Sequence, residues 1–401
     1  MDSPNRISDR PRKTLTLLLA LPYDSYQERG RGRCRPSGIF REVSYPSIYL
    51  VINQMLIANN KSSPLNGVAV MPAPPNWGKP CVHTELSLHQ LSPYIGKIKS
   101  SIAADLIEKY SKPGDIVVDP FAGAGTIPLE ASIRGRVALG ADISPYARIL
   151  TTAKMFPPRS LGAALDLAEE ALTRAAKLPS PDLSRVPIWV RGFFHPRTLS
   201  EALNFAIVCR RPGNEFLMAC LLGILHHQRP GFLSYPSSHL VPYLRTRKFP
   251  RRAFPQMYAY RELRPRLLAK VKRSYRRFYY PAKSMVLPFQ HTDVMSFSMP
   301  SRIGAIITSP PYMNALDYCR DNRLRLWFID SKLADKREED ATRRPQAFVD
   351  CISSLAQKVE ESLRPKGYCI YVVGDELRRS FAAHPSEVVA SIMRDRARSL
   401  Q

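Results

Sequence analysis

The sequence lacks the paired cysteines that a zinc site or a disulfide framework requires. Its seven cysteines are scattered over 401 residues, and none belongs to a Cys-x-x-Cys pair. No apolar run is long enough to span a bilayer. A short apolar stretch follows Arg10, Arg12 and Lys13, but proline and charged residues come soon after it, so we do not interpret it as a signal peptide. We therefore expect a protein without a metal site or a membrane partner, in a reducing cytoplasm.

Acidic residues are scarce relative to basic ones. There are 34 aspartates and glutamates against 59 lysines and arginines, which gives a net charge of +25. This excess favours a polyanionic partner, nucleic acid before membrane, although a generally basic proteome is the alternative explanation. The hydrophobic content of 44% is that of a folded protein, and 401 residues can bury one large core or two smaller ones.

The most informative stretch has neither the phosphate-loop pattern nor the three-glycine dinucleotide pattern. An apolar run typical of a strand, residues 115–118, ends in Asp119, and a turn with Gly123 and Gly125 leads into a helical stretch. Glycines let a ligand approach the backbone, and free N–H groups face that ligand at the start of a helix. The turn therefore indicates a nucleotide-like ligand, although any α/β domain can contain a Gly-rich turn.

A second stretch makes the first one specific. Residues 303–307 are typical of a buried strand and run straight into Thr308-Ser309-Pro310-Pro311-Tyr312. At this point the sequence resembles the S-adenosylmethionine-dependent DNA amino-methyltransferases. That family carries Asp-Pro-Phe-x-Gly-x-Gly-Thr for the cofactor and Ser/Asp-Pro-Pro-Tyr for the target amine, and both motifs are complete here. The resemblance covers the chain from residue 91 to residue 375.

The resemblance implies a Rossmann-like α/β sheet of the class I methyltransferase type. We expect a poorly patterned N-terminal arm over 1–80, a cofactor-binding half over 81–155, a long basic and mainly helical insertion over 156–283, and a catalytic half over 284–401. In the family the sheet ends in an antiparallel strand pair after a last helix, and no residues remain here to form it. We therefore expect this pair to be missing, unless other segments cover the sheet edge.

The cofactor implied by the resemblance is S-adenosylmethionine. The second strand, residues 137–143, contains Asp142, whose carboxylate can accept hydrogen bonds from both ribose hydroxyls, while Ile143 packs on the adenine. A helix N-cap is the alternative role for Asp142. A third strand over 285–289 precedes Asp293, which in the fold often binds the adenine amine; solvent exposure or a cap is the alternative.

A Pro-Tyr-x-x-Lys stretch before the first of these strands holds the methionine end of the cofactor in the family. It matches Tyr94 and Lys97, although a plain packing helix would show the same pattern. The predicted cofactor-binding residues are Asp119, Pro120, Phe121, Gly123, Gly125, Thr126, Asp142, Ile143, Asp293, Tyr94 and Lys97.

The expected chemistry is constrained by the amine, which is a poor nucleophile because its lone pair is conjugated into the ring. Two acceptors draw it toward tetrahedral geometry: the side chain of Ser309 and a main-chain carbonyl, which we assign to Pro310. Pro310 and Pro311 hold the loop rigid, and Tyr312 stacks on a base that has left the duplex. Serine at the first position is usual in the cytosine-N4 enzymes of the family and aspartate in the adenine enzymes, so we predict cytosine N4.

The insertion contains the strongest concentration of positive charge. Residues 245–277 hold thirteen lysines and arginines and one acid, Glu262, interleaved with aromatic residues. Phosphate contacts and base stacking require this combination, although a solvated helix face is the alternative. The predicted DNA-binding residues are Arg251, Arg252, Lys270, Lys272 and Arg273.

The predicted partner is double-stranded DNA with an extruded base, and a cognate restriction enzyme is a further candidate. Three other functions stay open. An adenine-N6 DNA methyltransferase shares both motifs. An RNA guanine-N2 methyltransferase has the same fold and motif order, but usually carries Asn or Asp at position 309 and an RNA-binding domain upstream. A non-catalytic DNA-binding protein is favoured by the missing strands and opposed by the intact motifs.

Overall fold

The strands of the protein are short apolar runs that assemble into one sheet. The computed structural model describes residues 15–22, 49–53, 68–72, 74, 77, 84–226, 231–234, 250–282, 285–311, 318–335, 345–375 and 385–398. Within these residues the strands are β1 (Leu15–Pro22), β2 (Tyr49–Asn53), β3 (Val68–Pro72), β4 (Ile116–Asp119), β5 (Val137–Gly140), β6 (Ile303–Thr308) and β7 (Leu363–Asp375). Their order in the sheet is β3-β2-β1-β7-β6-β4-β5.

Helices cover the sheet and build most of the insertion. They are α1 (Ser100–Tyr110), α2 (Thr126–Ile133), α3 (Pro145–Met155), α4 (Leu161–Ala176), α5 (Ile188–Arg191), α6 (Pro196–Cys209), α7 (Glu215–Ile224), α8 (Leu263–Ser274), α9 (Tyr318–Asp321), α10 (Arg323–Ile329), α11 (Pro345–Ser362) and α12 (Pro385–Arg398).

The neighbouring strands β1, β7, β6, β4 and β5 all run parallel. Parallel sheets need cover on both faces, and successive side chains of a strand point to opposite faces. Val117 accordingly lies in one hydrophobic core, with α1–α3 and the insertion, whereas Val118 lies in a second core against α11 and α12. The predicted Rossmann-like α/β fold is confirmed.

The N-terminal segment decides between two expectations. Strand β1 pairs in parallel with β7, from Leu15 opposite Tyr368 to Pro22 opposite Asp375, and β2 and β3 continue the sheet in antiparallel pairings. The alternative that other segments cover this edge of the sheet is therefore confirmed, and residues 1–80 contribute three strands to the sheet. The apolar stretch that we considered as a signal peptide is β1.

The expected third strand over 285–289 does not form a ladder. Val286 and Gln290 make isolated parallel bridges with the edge strand β5. Leu287 and Gln290, three residues apart, donate their amides to the carbonyls of Ala138 and Gly140, which are two residues apart, so the pairing slips by one residue. The segment therefore follows the edge of β5 without becoming a full strand.

We predict that Gly125→Ala destabilises the fold more than Gly135→Ala. Both glycines have positive φ, 68° and 74°, so each alanine pays about 1–2 kcal/mol for a left-handed backbone. At Gly125 a Cβ would also lie 2.7 Å from Thr151 Oγ1 and 2.9 Å from its Cα, whereas at Gly135 the nearest atom, on Pro113, is 3.9 Å away. Urea denaturation measures both losses of stability; equal losses would contradict the tight packing of the turn.

Candidate active site

The two sequence motifs meet at one edge of the sheet. Because β4, β5 and β6 run parallel, their carboxyl ends share that edge, where ligands bind in open α/β sheets. Asp119 ends β4, Asp142 follows β5 and Ser309 follows β6. The fold thus brings together residues that are separated by up to 190 positions in the sequence.

A buried hydrogen bond joins the first motif to the second. The hydroxyl of Thr308 donates to Asp119 Oδ1 at 2.6 Å, and the amide of Phe121 donates to the same oxygen at 3.2 Å. Burial and, to a smaller extent, the nearby Asp142 raise the pKa of Asp119 to about 7, against the opposing effect of these two donors. Asp119 and the start of the target loop therefore form one rigid unit.

Asp142 fixes the Gly-rich turn from the neighbouring strand. One carboxylate oxygen accepts the amide of Gly123 at 2.8 Å, and the other accepts the amide of Ser144 at 2.8 Å. Burial raises the pKa of Asp142 to about 6 despite these donors. The N-cap of α3 is Ser144, whose side chain accepts from Ala147, so Asp142 is not the cap. Each oxygen of Asp142 keeps a further lone pair for a ligand.

Helix α3 holds the Gly-rich turn through hydrogen bonds from two of its side chains. Thr151 donates its hydroxyl to the carbonyl of Gly123 at 3.3 Å, and the buried ammonium of Lys154 donates to the carbonyl of Ala124. Burial lowers the pKa of Lys154 well below its usual value. With two carbonyls held from this side, the turn is fixed in the conformation that the left-handed Gly125 requires.

Tyr94 covers the Gly-rich turn. A Cβ on Gly123 would lie 3.1 Å from the Tyr94 ring, so glycine is needed there for the ring to approach. The ring stacks on Tyr146 with centroids 5.7 Å apart and lies 6.2 Å from the ring of Tyr318, just beyond the target loop. Lys97 is exposed and donates its ammonium to the carbonyl of His89 at 2.8 Å.

The part of the site that is predicted to bind the adenine of the cofactor contains an exposed apolar residue. Ile143 is 58% exposed directly beside Asp142, and His291 Nε2 lies 3.0 Å from its carbonyl oxygen. An apolar surface next to a carboxylate suits a nucleoside. Asp293 is exposed and accepts the amide of Ser296 at 2.8 Å, so it caps a local turn, and its contact with adenine stays a prediction.

The target loop is described in part. Ser309 and Pro311 are half-buried and Pro310 is buried, directly after the buried Thr308. Tyr312 lies outside the described residues, so its stacking role stays a prediction.

The predicted DNA-binding residues differ in accessibility. Arg252 and Lys272 are exposed, and Arg273 is half-buried. Arg251 is exposed, but its guanidinium lies 4.9 Å from the centroid of the Tyr258 ring. The predicted phosphate contact of Lys270 needs correction.

Lys270 is buried because it lies on the apolar face of α8. It shares that face with Leu267 and Val271, at helical spacing, and donates its ammonium to the carbonyl of Gln90 at 2.7 Å. Burial lowers the pKa of Lys270 to about 8. Its ammonium therefore anchors the insertion to the segment before α1 and is not available to a phosphate.

Several residues of the site were missed by sequence reasoning. Thr308 had a signal, since it directly precedes Ser309 at the end of a buried strand. Tyr146, Thr151 and Lys154 had none, because their contacts with the turn depend on how α3 packs.

Other kinds of site find no support in the part of the chain that the structure describes. No group of three or more His, Cys, Asp or Glu side chains there could hold a metal ion. None of the helices described has both the length and the apolar character needed to cross a membrane.

Comparison with known proteins finds a match for the part of the site that contains the Gly-rich turn. Residues 89–152, which include Tyr94, Asp119 and Asp142, match the family model described as DNA methylase. The Type II methyltransferase M.MjaII of Methanocaldococcus jannaschii is 31% identical over 68 residues, which are 17% of this chain and 13% of that protein. The Type II methyltransferase M.BsoBI of Geobacillus stearothermophilus is 35% identical over 71 residues, 18% and 14% of the two chains.

The matched regions are thus a small part of either relative. The family match, residues 89–152, ends before the loop that contains Ser309, but it contains the complete Gly-rich turn and the carboxylate that fixes it. Over residues 89–152 the chain is thus similar to the DNA methylase family.

Proposed function

We propose that the chain transfers a methyl group from S-adenosylmethionine to an exocyclic amine of DNA, with cytosine N4 as the acceptor. The observation that carries this proposal is the hydrogen bond from Thr308 to Asp119. This bond connects the end of β6, directly before Ser309, to the start of the Gly-rich turn within residues 89–152. A cofactor held by that turn would face the loop in which Ser309 lies.

The residues of the edge fit S-adenosylmethionine. Asp142 has lone pairs left for the ribose hydroxyls, and Ile143 presents an exposed apolar surface for the adenine. Asp119 and Asp142 lie close enough for one to raise the pKa of the other, which favours a cationic ligand. When bound, this cofactor supplies a methyl group on a sulfonium, and the neutral thioether that remains is a good leaving group.

The target loop then acts mainly by positioning. Ser309 accepts a hydrogen bond from the amine and, with the carbonyl of Pro310, draws its lone pair out of conjugation and toward the methyl group. Two successive prolines restrict the loop backbone, so these acceptors are held in place before the base arrives. Holding two reactants in this geometry can supply several kcal/mol of the barrier reduction. The proposal of cytosine as the acceptor rests on the serine at position 309, which is usual in the cytosine-N4 enzymes of the family that the sequence resembles.

We predict that affinity for S-adenosylmethionine rises between about pH 5 and pH 8. Below their raised pKa values, about 6 for Asp142 and about 7 for Asp119, both carboxyls are protonated and attract the cationic cofactor poorly. As the pH rises through these values, the carboxylates form and binding tightens. Calorimetry at a series of pH values measures the change.

Asp142→Asn is the matched test of this titration. It should abolish the step near pH 6 and weaken binding by about 1.5–3 kcal/mol for each charge-assisted hydrogen bond removed. Asp182→Asn, an exposed aspartate on the insertion, serves as the control and should bind as the wild type does. Binding by Asp142→Asn with unchanged affinity and pH profile would rule out the ribose role.

We predict that Ser309→Ala binds the cofactor normally but turns over on the order of a hundredfold more slowly, because its hydrogen bond matters most as the amine pyramidalises. The assay uses labelled cofactor with duplex oligonucleotides, with transfer RNA as the competing substrate. Label found only on adenine would mean that the acceptor is adenine and not cytosine. Label found only in transfer RNA would overturn DNA as the substrate.

We predict that Arg252 and Lys272 contact DNA phosphates. Neutralising both with glutamine should lower the log–log salt slope of DNA affinity by about 0.9 for each phosphate that the protein no longer neutralises. Lys270→Gln removes the same kind of charge from a buried position, so it should lower stability and leave the slope unchanged. Anisotropy titrations over a salt series measure the slope. Equal slopes for the wild type, the double variant and Lys270→Gln would mean that Arg252 and Lys272 belong to a solvated face that does not contact DNA.

A further inference from the structure

A cavity lies where α3 meets the end of α6, the start of α7 and the end of α10. Its volume is about 240 Å³. Three arginines and one acid supply its charges: Arg148, Arg210, Arg211 and Glu215. The remaining lining is apolar and comes from Ile149, Cys209, Met218 and Ile329.

The arginines have unused hydrogen-bonding capacity. Arg148 lies 3.8 Å from the carboxylate of Glu215, which is too long for a hydrogen bond. The other oxygen of Glu215 accepts the amide of Gly213 at 3.0 Å. Among the described residues these guanidiniums make one hydrogen bond, from Arg210 to the carbonyl of Phe328 at 3.2 Å, although each carries five N–H donors.

The start of α7 adds to the positive potential. Its N-cap residue, Asn214, makes no side-chain bond to the first-turn amides, and its NH2 group donates to the carbonyl of Val208 at 3.2 Å. The N-terminus of a helix carries a partial positive charge and attracts anions. The cavity therefore combines three guanidiniums, a helix start and one partly offsetting carboxylate.

The position of the cavity connects it with the catalytic edge. Arg148 lies in the first turn of α3, four residues after Ser144, which corresponds to a rise of about 6 Å along a helix. The exposed Ile143 and the carboxylate of Asp142 directly precede that helix. Arg148 therefore lies about one helical turn from the edge, a rise comparable with one or two nucleotide steps of about 3.4 Å.

We propose that this cavity binds a backbone phosphate of the DNA strand whose base enters the active site. The inference rests on the proposed function, which supplies DNA as the partner. The guanidinium forks of Arg148, Arg210 and Arg211 match phosphate oxygens in pairs, as ammonium groups do not. A phosphate held here fixes the register of the strand on the protein, while Ser309 engages the base.

The test compares Arg211→Gln and the double variant Arg210→Gln/Arg211→Gln with wild type in anisotropy titrations of a duplex oligonucleotide. Each variant should lower the salt slope by about 0.9 if one phosphate is no longer neutralised, and should weaken binding several-fold. Arg174→Gln removes one exposed arginine from α4 and should leave the slope unchanged. Arg211→Gln alone keeps the bond of Arg210 to Phe328, so it covers the case in which the double variant fails to fold.

A calorimetric titration with inorganic phosphate separates the two sources of such an anion. Phosphate binding that Arg211→Gln abolishes, together with an unchanged DNA salt slope, would make this a small-anion site and overturn the proposal. Wild-type slopes in both variants, with DNA still bound, would overturn the phosphate contact and leave the proposed methyl transfer intact. A wild type that binds no DNA would overturn both. A lower slope supports the proposal, with or without binding of free phosphate.

Discussion

The structure of the site depends on one buried hydrogen bond, from the hydroxyl of Thr308 to the carboxylate of Asp119. A buried carboxylate is costly unless hydrogen-bond donors compensate it, and here the donors come from the next strand and from the turn itself. The bond therefore fixes the relative positions of the ends of β4 and β6. Those ends carry the Gly-rich turn and the loop with Ser309, so cofactor and target would meet only while this bond persists.

A second layer of contacts keeps the turn in shape. Asp142 holds the amide of Gly123, and α3 holds the carbonyls of Gly123 and Ala124 through Thr151 and Lys154. Asp119 and Lys154 are buried and Asp142 is half-buried, and the pKa values of all three move toward the neutral forms. A site arranged in this way responds to the charge of its ligand, because a cation would favour the ionised carboxylates.

Much of the fold could be predicted from the sequence where the signal is local. The strands at β4, β5 and β6 are short apolar runs, and the glycines after β4 identify the turn. The strands beyond β7 could not be predicted. Strand β1 pairs with β7 across more than 340 residues, and no local pattern specifies such a partner. The prediction of a strand over 285–289 failed because its pairing with β5 slips by one residue after Leu287, which an apolar run does not indicate.

Lys270 shows a limit of a different kind. Charge counting placed it on a DNA surface, whereas helical spacing from Leu267 places it on the buried face of α8. The periodicity was present in the sequence and indicates burial; the charge count alone does not distinguish an anchoring lysine from a phosphate-binding one. The pairing of Thr308 with Asp119 required the order of the strands, which places β6 directly beside β4.

The central claim is that the edge shared by Asp119, Asp142 and Ser309 methylates an amine in DNA. Mass spectrometry of nucleosides from the DNA of cells that express the chain tests this claim most directly, with the Ser309→Ala variant expressed to the same level for comparison. We expect N4-methylcytosine in the DNA of the wild type and a much smaller amount with the variant. DNA without any methylated amine, from cells that contain folded and cofactor-binding protein, would contradict the account.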